Sequence, residues 1–283
     1  MKQFQVIVIG GGSAGYAGAR TFFDEGQRRI AIVDGANTLG GLCILRGCMP
    51  SKTLLYSAET LHLAGQGDVF GFDQVKLKPD MTLMQQRKKE IISDFAQYRT
   101  QQLEDDRFSL YRSGARFLDE STIELTDGRK LKADHFLIAT GSKIAMPPIP
   151  GLNKVGFKTS DDVLELEEVP DETIVLGGGI VACELAQFLN RIGTKVTLLQ
   201  RSENILREFP QNSSVCVREK FAKEGMVVKT GVTMEGLKQI NEQTIRVNYL
   251  HGGKKETLET KFLFHALGRK PSTDGLNLEE IGV

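Results

Sequence analysis

Short, unbroken apolar runs recur along the chain, each closed by a glycine or a polar residue, and they organise the reading of everything between them. Val6-Ile7-Val8-Ile9 ends in Gly10, Ile30-Ala31-Ile32-Val33 in Asp34, Ile174-Val175-Leu176 in Gly177, and the run from Lys195 to Leu199 in Gln200. Such runs suit strands buried on both faces of a sheet. A helix-compatible stretch separates the two members of each pair, so the pattern predicts strand, helix, strand twice. Between the pairs, the segment from Leu83 to Leu103 is long, polar and charge-rich, which predicts a helix with a solvated face. From Ser109 to Gly141 short strands are expected, with a hairpin at Asp127-Gly128. Alternation over Thr244–Leu250, interrupted by His251-Gly252-Gly253, predicts another hairpin, and Pro147-Pro148-Ile149-Pro150-Gly151 reads as a linker.

The glycines that close the first strand add chemistry. In Gly10-Gly11-Gly12-Ser13-Ala14-Gly15, Gly10 allows a tight turn, Gly12 a close backbone approach to a pyrophosphate, and Gly15 the packing of helix on strand. Asp34 lies at the distance expected of an acid that accepts a hydrogen bond from an adenosine ribose. The same letters match a GxSxG nucleophile elbow, but the four histidines are scattered and no other hydrolase signal accompanies it. The second unit repeats the plan with Gly177, Gly179 and, in place of the third glycine, Ala182. Where an NAD site would carry an acid, this chain has Gln200-Arg201, with Arg207 six residues on. A carboxylate would repel a 2′-phosphate and guanidinium groups bind it, so NADP is expected over NAD.

Cys43 and Cys48 bracket Ile44-Leu45-Arg46-Gly47 and precede Met49-Pro50-Ser51-Lys52. In a regular helix, residues five apart are separated by about 7.5 Å of rise and roughly 140° of rotation, too far for a disulfide. The pair can bridge only if the segment departs from helical geometry. Gly47 permits that, and Pro50 suits the first turn of a helix starting near Cys48. Zinc sites show two short Cys or His pairs, and Cys183 and Cys216 stand alone, so no metal site is expected.

Composition narrows the partners. Lysine plus arginine and aspartate plus glutamate number 36 each in 283 residues, so no basic field points to nucleic acid. No apolar run is long enough for a bilayer and no signal peptide is evident, which predicts a cytoplasmic protein acting on small molecules.

Taken together, Gly40-Gly41-Leu42-Cys43 through Lys52, Ala139-Thr140-Gly141-Ser142, the second fingerprint with Glu184, and Ala266-Leu267-Gly268-Arg269-Lys270-Pro271 resemble the FAD-dependent pyridine nucleotide-disulfide oxidoreductases, which include dihydrolipoamide dehydrogenase, mercuric reductase and glutathione reductase. The resemblance implies an α/β fold of two Rossmann-like nucleotide-binding domains (three-layer ββα), the second inserted into the first. It implies an FAD-binding domain over 1–150, an NAD(P)-binding domain over 151–267 and the start of a return to the first domain over 268–283. It further implies an electron relay among NAD(P)H, FAD and a redox-active Cys43–Cys48 disulfide, ending on a disulfide or dithiol substrate as in dihydrolipoamide dehydrogenase. Mercuric-ion and glutathione-type reduction are the alternatives within the family, and a non-catalytic FAD- and NADP-binding redox sensor is the alternative outside it. By analogy Cys48 faces the flavin, Cys43 exchanges with substrate, and Lys52 stands beside the reactive flavin nitrogen paired with Glu184. Gly41, Ala115, Thr140, Gly141, Gly268 and Arg269 fall where relatives contact cofactor. The family's C-terminal dimerisation domain and its His-Glu acid-base pair are expected to lie beyond these 283 residues, with a homodimer expected of the full-length family member.

Overall fold

The computed structural model describes residues 1–71, 73 and 77–283, with the side chain of Phe70 outside the described set. It is a mixed α/β protein with parallel sheets that divides into two compact units. One comprises Met1–Pro50, Lys89–Lys143 and Lys270–Val283, the other Ser51–Lys88 and Ile144–Arg269.

In the first unit, strand β1 (Lys2–Ile9), helix α1 (Ser13–Asp24) and strand β2 (Ile30–Val33) form the anticipated opening unit. Helix α2 (Gly41–Arg46) follows, then α3 (Cys48–Ala64), which leaves this unit after Pro50, and α4 (Met81–Leu103), which re-enters it at Lys89. Strands β3 (Ser109–Tyr111), β4 (Ala115–Asp119), β5 (Thr122–Leu125) and β6 (Lys130–Ile138) complete a six-stranded sheet of order β3-β2-β1-β6-β5-β4. β1 runs parallel to both β2 and β6, and β6, β5 and β4 are antiparallel. The apolar run in β1 serves two cores: Ile7 and Ile9 pack with Phe117, Ile123 and Leu131, while Val6 and Val8 pack with Ala19, Ile30, Ile32 and Leu103. The β5–β6 turn is the expected one, with Gly128 at φ +83° and its N–H donated to the Leu125 carbonyl at 2.9 Å. The returning C-terminal segment buries Leu276 in the Phe117 core, and the Phe117 N–H donates to the Leu276 carbonyl at 2.9 Å.

The chain passes between the units at strand β7 (Ser142–Ile144) and returns at β15 (Arg269–Pro271). Within the second unit, helix α5 (Ser160–Leu164), strand β8 (Glu172–Leu176), helix α6 (Ile180–Arg191), strand β9 (Lys195–Leu199), helix α7 (Gln211–Lys223) and strand β10 (Val227–Lys229) follow in order. A meander of β11 (Thr233–Gln239), β12 (Ile245–His251) and β13 (Lys254–Thr260) precedes β14 (Leu263–His265), which completes a parallel sheet of order β10-β9-β8-β14. The predicted second hairpin is β12–β13, and its turn has both Gly252 and Gly253 at positive φ, as a tight two-residue hairpin turn demands.

Residues 51–88 belong to the second unit for a packing reason: Leu54 and Ala58 of α3 and Met81 of α4 are buried with Val163, Ala182 and Phe188. The same contacts give α4 a packed face besides the expected solvated one. Lys88 is 2% exposed, donates to the Leu164 carbonyl at 2.6 Å and pairs with Glu165. At the far end of α6, the nearly buried Arg191 and Glu224 pair at 2.6 Å, and Asn190 donates to the Glu224 carbonyl. Burial of such a pair is tolerable because each charge finds complementary donors and acceptors.

Gly15 is the tightest of the fingerprint positions. A Cβ there would stand 1.7 Å from the Gly10 carbonyl oxygen, a backbone atom that cannot swing aside. Gly15→Ala is expected to destabilise the first unit by about 1–3 kcal/mol through overpacking, measured by urea unfolding, and wild-type stability in that variant would contradict the packing role.

Candidate active site

The first fingerprint builds an anion cradle. Gly10 has φ +105°, and a Cβ on it would meet the Ala139 carbonyl oxygen at 2.3 Å, so Ala139 and Thr140 at the end of β6 lie against the turn. Gly12 caps α1 in an extended conformation with no side-chain hydrogen bond, and the first turn of the helix carries no acid. Exposed Ser13 and Ala14 open that turn, leaving backbone N–H groups and the positive helix end available to a phosphate. Asp34 is fixed by two backbone donors, Gly11 N–H to Oδ2 at 2.7 Å and Ala36 N–H to Oδ1 at 2.8 Å. Its carboxylate is thereby oriented at the mouth of the loop. Ala115 begins β4 just after Gly114, whose nitrogen would lie 2.8 Å from a Cβ on Gly35, so this segment borders the Asp34 turn. Gly141 follows Thr140 at φ +73°.

The cysteine segment is pinned to this cradle. Gly41 opens α2 at φ +68°, and a Cβ on it would stand 2.5 Å from Gly12 Cα, so the two backbones are in direct contact. Cys43 lies two residues into that helix and is half-buried; Cys48 is the first residue of α3 and is exposed. Both are thiols in this structure. Gly47, at φ −140° and ψ −115°, separates the helices. A Cβ on it would stand 2.9 Å from the Leu42 carbonyl oxygen and 3.3 Å from Cys43 Cα, which means that the chain folds back over Cys43 before α3 starts. This is the departure from helical geometry that the spacing required. Pro50 then occupies the first turn of α3.

The second unit carries the other candidates. Gly177 has φ +110°, and a Cβ there would meet the Ala266 carbonyl oxygen at 2.4 Å; Gly179 caps α6 without a side-chain bond and faces open space; Ala182 is fully buried against the core. These residues line a cleft of about 800 Å³ together with Arg201, Arg207, Gly268 and Arg269. The Arg207 guanidinium is bound to Glu208 at 2.7 Å, whereas Arg201 makes no ion pair among the described residues. Lys52 and Glu184 form an ion pair at 2.5 Å between α3 and α6, partly open to solvent on both sides.

Two further groups have settled roles. His265, 2% exposed, donates from Nε2 to the Ala145 carbonyl at 2.9 Å, accepts the Leu267 N–H on Nδ1, and lies edge-on to Phe157. Burial pushes its pKa down, so it is a neutral packing residue. Cys183 is buried in α6 beside the second fingerprint, and burial pushes its thiol up to about 12.

Residues 4–283 match the model of the pyridine nucleotide-disulphide oxidoreductase family. The chain belongs to that family. Its members are oxidoreductases that depend on FAD and NAD(P)H. The chain is 35% identical over 281 residues to a mercuric reductase of Lysinibacillus sphaericus, covering 99% of this chain and 51% of that one. It is 31% identical over 285 residues to a dihydrolipoyl dehydrogenase of Bacillus subtilis, covering 98% and 61%. Among solved structures it resembles the HOCl-induced flavoprotein disulfide reductase RclA of Escherichia coli in its Cu(II) complex, with a TM-score of 0.83 and 26% identity over all of this chain and 60% of that one. The chain thus spans about half to three-fifths of the length of these relatives. The glycine cradle, the uncapped α1 and the oriented Asp34 suit the adenosine diphosphate part of FAD, and the open Gly179 and Arg201 suit a nicotinamide dinucleotide.

The buried His265 has a consequence for stability. An unfolded chain protonates this histidine below its ordinary pKa of 6.5, and the fold resists that protonation. Its contribution is therefore complete above pH 6.5 and declines as the pH falls toward the depressed folded value. His265→Gln is expected to show a shallower loss of urea stability between pH 7.5 and 5.5 than the wild type, and identical slopes would refute a buried neutral imidazole.

Proposed function

We propose that the protein is an FAD-dependent NAD(P)H:disulfide oxidoreductase that exchanges electrons with a disulfide or dithiol substrate through Cys43 and Cys48. The observation that carries this reading is the backbone contact of Gly41 with Gly12, which pins the two-cysteine segment onto the dinucleotide loop. Metal-ion reduction, as the name of the mercuric reductase relatives suggests, would use the same two sulfurs. On this reading residues 1–150 and 268–283 form the FAD-binding domain and 151–267 the NAD(P)-binding domain, two Rossmann-like units with the second inserted into the first. The whole protein would act as a homodimer in the cytoplasm.

FAD, when bound, supplies a two-electron link between a nicotinamide and a disulfide. The chain's own residues prepare that link. α1 and the Gly10–Gly15 turn hold the pyrophosphate, Asp34 accepts the ribose hydroxyl, and Gly41, Ala115, Thr140, Gly141, Gly268 and Arg269 line the remainder of the cofactor's path. Lys52, positioned by Glu184, places a fixed cation where negative charge develops on reduction. Gly177, Gly179 and Ala182 bind the nicotinamide dinucleotide's pyrophosphate, and Arg201 with Arg207 meets a 2′-phosphate. Cys48, at the positive end of α3, is the sulfur that faces the cofactor, and Cys43 the one that meets substrate.

Anaerobic titration of the FAD-loaded protein with NADPH is expected to raise a long-wavelength absorbance shoulder at two electrons. Cys48→Ser should lack the shoulder throughout, and Cys43→Ser, with no disulfide to reduce, should show it before NADPH is added and lose it as the flavin takes up two electrons; a shoulder insensitive to both would overturn the assignment. Arg201→Ala should lower the ratio of NADPH to NADH affinity about tenfold, the value of one charge-assisted hydrogen bond, measured by equilibrium titration of each nucleotide. An unchanged ratio removes the NADP preference.

A further inference from the structure

Helices α3 and α6 are joined by two ion pairs of opposite polarity. Lys52 of α3 pairs with Glu184 of α6, and Glu59 of α3 pairs with Arg191 of α6. The partners of each pair stand 132 positions apart in the chain. The two helices therefore run parallel, with the two pairs seven residues apart on both of them, a separation of two turns or about 10.5 Å. All four residues lie in the second unit.

The two pairs differ in how firmly they hold. The Lys52 and Glu184 side chains are 59% and 32% exposed, and an ion pair so open to solvent fixes its partners weakly. The Arg191 and Glu224 side chains are only 7% and 3% exposed. Arg191 donates from Nε and Nη2 to the Glu224 carboxylate at 3.1 and 2.6 Å, and from Nη1 to Glu59. Glu224 also accepts from Gln187 at 3.1 Å and pairs with Lys220 at 3.2 Å, and His62 of α3 stands 3.5 Å from it. Burial works against the Arg191 charge, yet Glu224 and Glu59 hold its pKa above the ordinary value. Drawing Arg191 away from these acids would strand a charge in the interior, which costs far more than parting Lys52 from Glu184.

That asymmetry gives the buried end control over where α3 sits along α6. Leu54 and Ala58 pack in the α6 core, but apolar contact is non-directional and does not by itself choose a height. A one-turn slide of α3 would bring Leu55 or Leu63 opposite Arg191 in place of Glu59. A two-turn slide would bring Lys52 to Arg191 in one direction and Glu59 to Glu184 in the other, like charges both times.

We propose that Arg191 and Glu59 are positioning residues for Lys52: their pair, anchored by Glu224, locks α3 at one height on α6 and so holds the Lys52 amine on Glu184. The proposal rests on the reading of Lys52 as the fixed cation beside the flavin. Arg191 and Glu59 act through two turns of hydrogen-bonded helix and touch none of the reacting atoms. The placement of the cation is thus decided in the interior of the second unit, and the solvent-open pair at the other end only completes it.

The test follows acetylation of the FAD-loaded full chain by acetic anhydride, each lysine being read by peptide mass spectrometry. Glu59→Gln, which leaves Arg191 on Glu224, is expected to raise the rate at Lys52 about threefold, the scale of losing one solvent-open ion pair. The rate at Lys88, 2% exposed in the same unit, should not change. Arg191→Met should raise the Lys52 rate further, and Arg191→Lys, which keeps the cation, should restore most of the protection. Glu59→Gln decides the matter even where Arg191→Met fails to fold. An unchanged Lys52 rate in Glu59→Gln, or a rise at Lys52 matched by one at Lys88, would overturn the proposal, the latter because it reports a general loosening. The two-electron midpoint potential of the bound flavin should fall in Glu59→Gln, in the same direction as in Lys52→Met and by less. A potential that moves in Lys52→Met and stays put in Glu59→Gln would also overturn it. An unmoved potential in Lys52→Met would instead refute the reading of Lys52, whatever the acetylation rates show.

Discussion

A contact between two glycine backbones governs this protein. Gly12 belongs to the turn between β1 and α1 and Gly41 opens the helix that carries Cys43, and there is no room for a Cβ on Gly41. The consequence is a fixed spatial relation between the Gly10–Gly15 turn and the cysteine segment that no flexible linkage could guarantee. Around it, the Gly10 turn rests on Ala139, Asp34 is clamped by two amides, and α1 presents unused donors at its positive end. Each involves main-chain groups, so the turn holds its geometry largely through backbone contacts.

The second unit repeats the turn but with another purpose in its side chains. Gly177 rests on Ala266 much as Gly10 rests on Ala139, and α6 again starts without a cap. Here the strand end carries Gln200 where the first unit carries Asp34, with Arg201 next along the chain. The same backbone plan thus presents a carboxylate in one unit and an uncharged amide followed by a guanidinium in the other. The Lys52–Glu184 pair belongs to this unit because residues 51–88 pack there, their apolar positions being absorbed by the α6 core.

What could be read from the residues alone divides along a physical line. Glycines forced by close approach, such as Gly10, Gly15 and Gly177, declare themselves through spacing, Gly41 came from resemblance, and the break in the helix at Gly47 is what a bridge between Cys43 and Cys48 would need. The two hairpins at Gly128 and Gly252-Gly253 follow from turn chemistry. The roles of Lys52 and Glu184 came from resemblance, since nothing in their local spacing joins two residues 132 positions apart. Helix α4 forms as expected with a solvated face, but its packed positions were not legible. Its charged composition conceals Lys88, satisfied in a buried position by a carbonyl and Glu165, and Arg99, seated on the Gly12 carbonyl, because which face of a polar helix meets a neighbour is decided by tertiary packing.

The most withdrawn thiol in the chain completes the picture. Cys183 lies sealed among apolar side chains, its thiol held so far from ionisation that it is inert at physiological pH. Any chain that handles thiol exchange risks its own spare sulfur joining the wrong partner. By keeping this one protonated and out of reach, the fold protects α6 from disulfide scrambling.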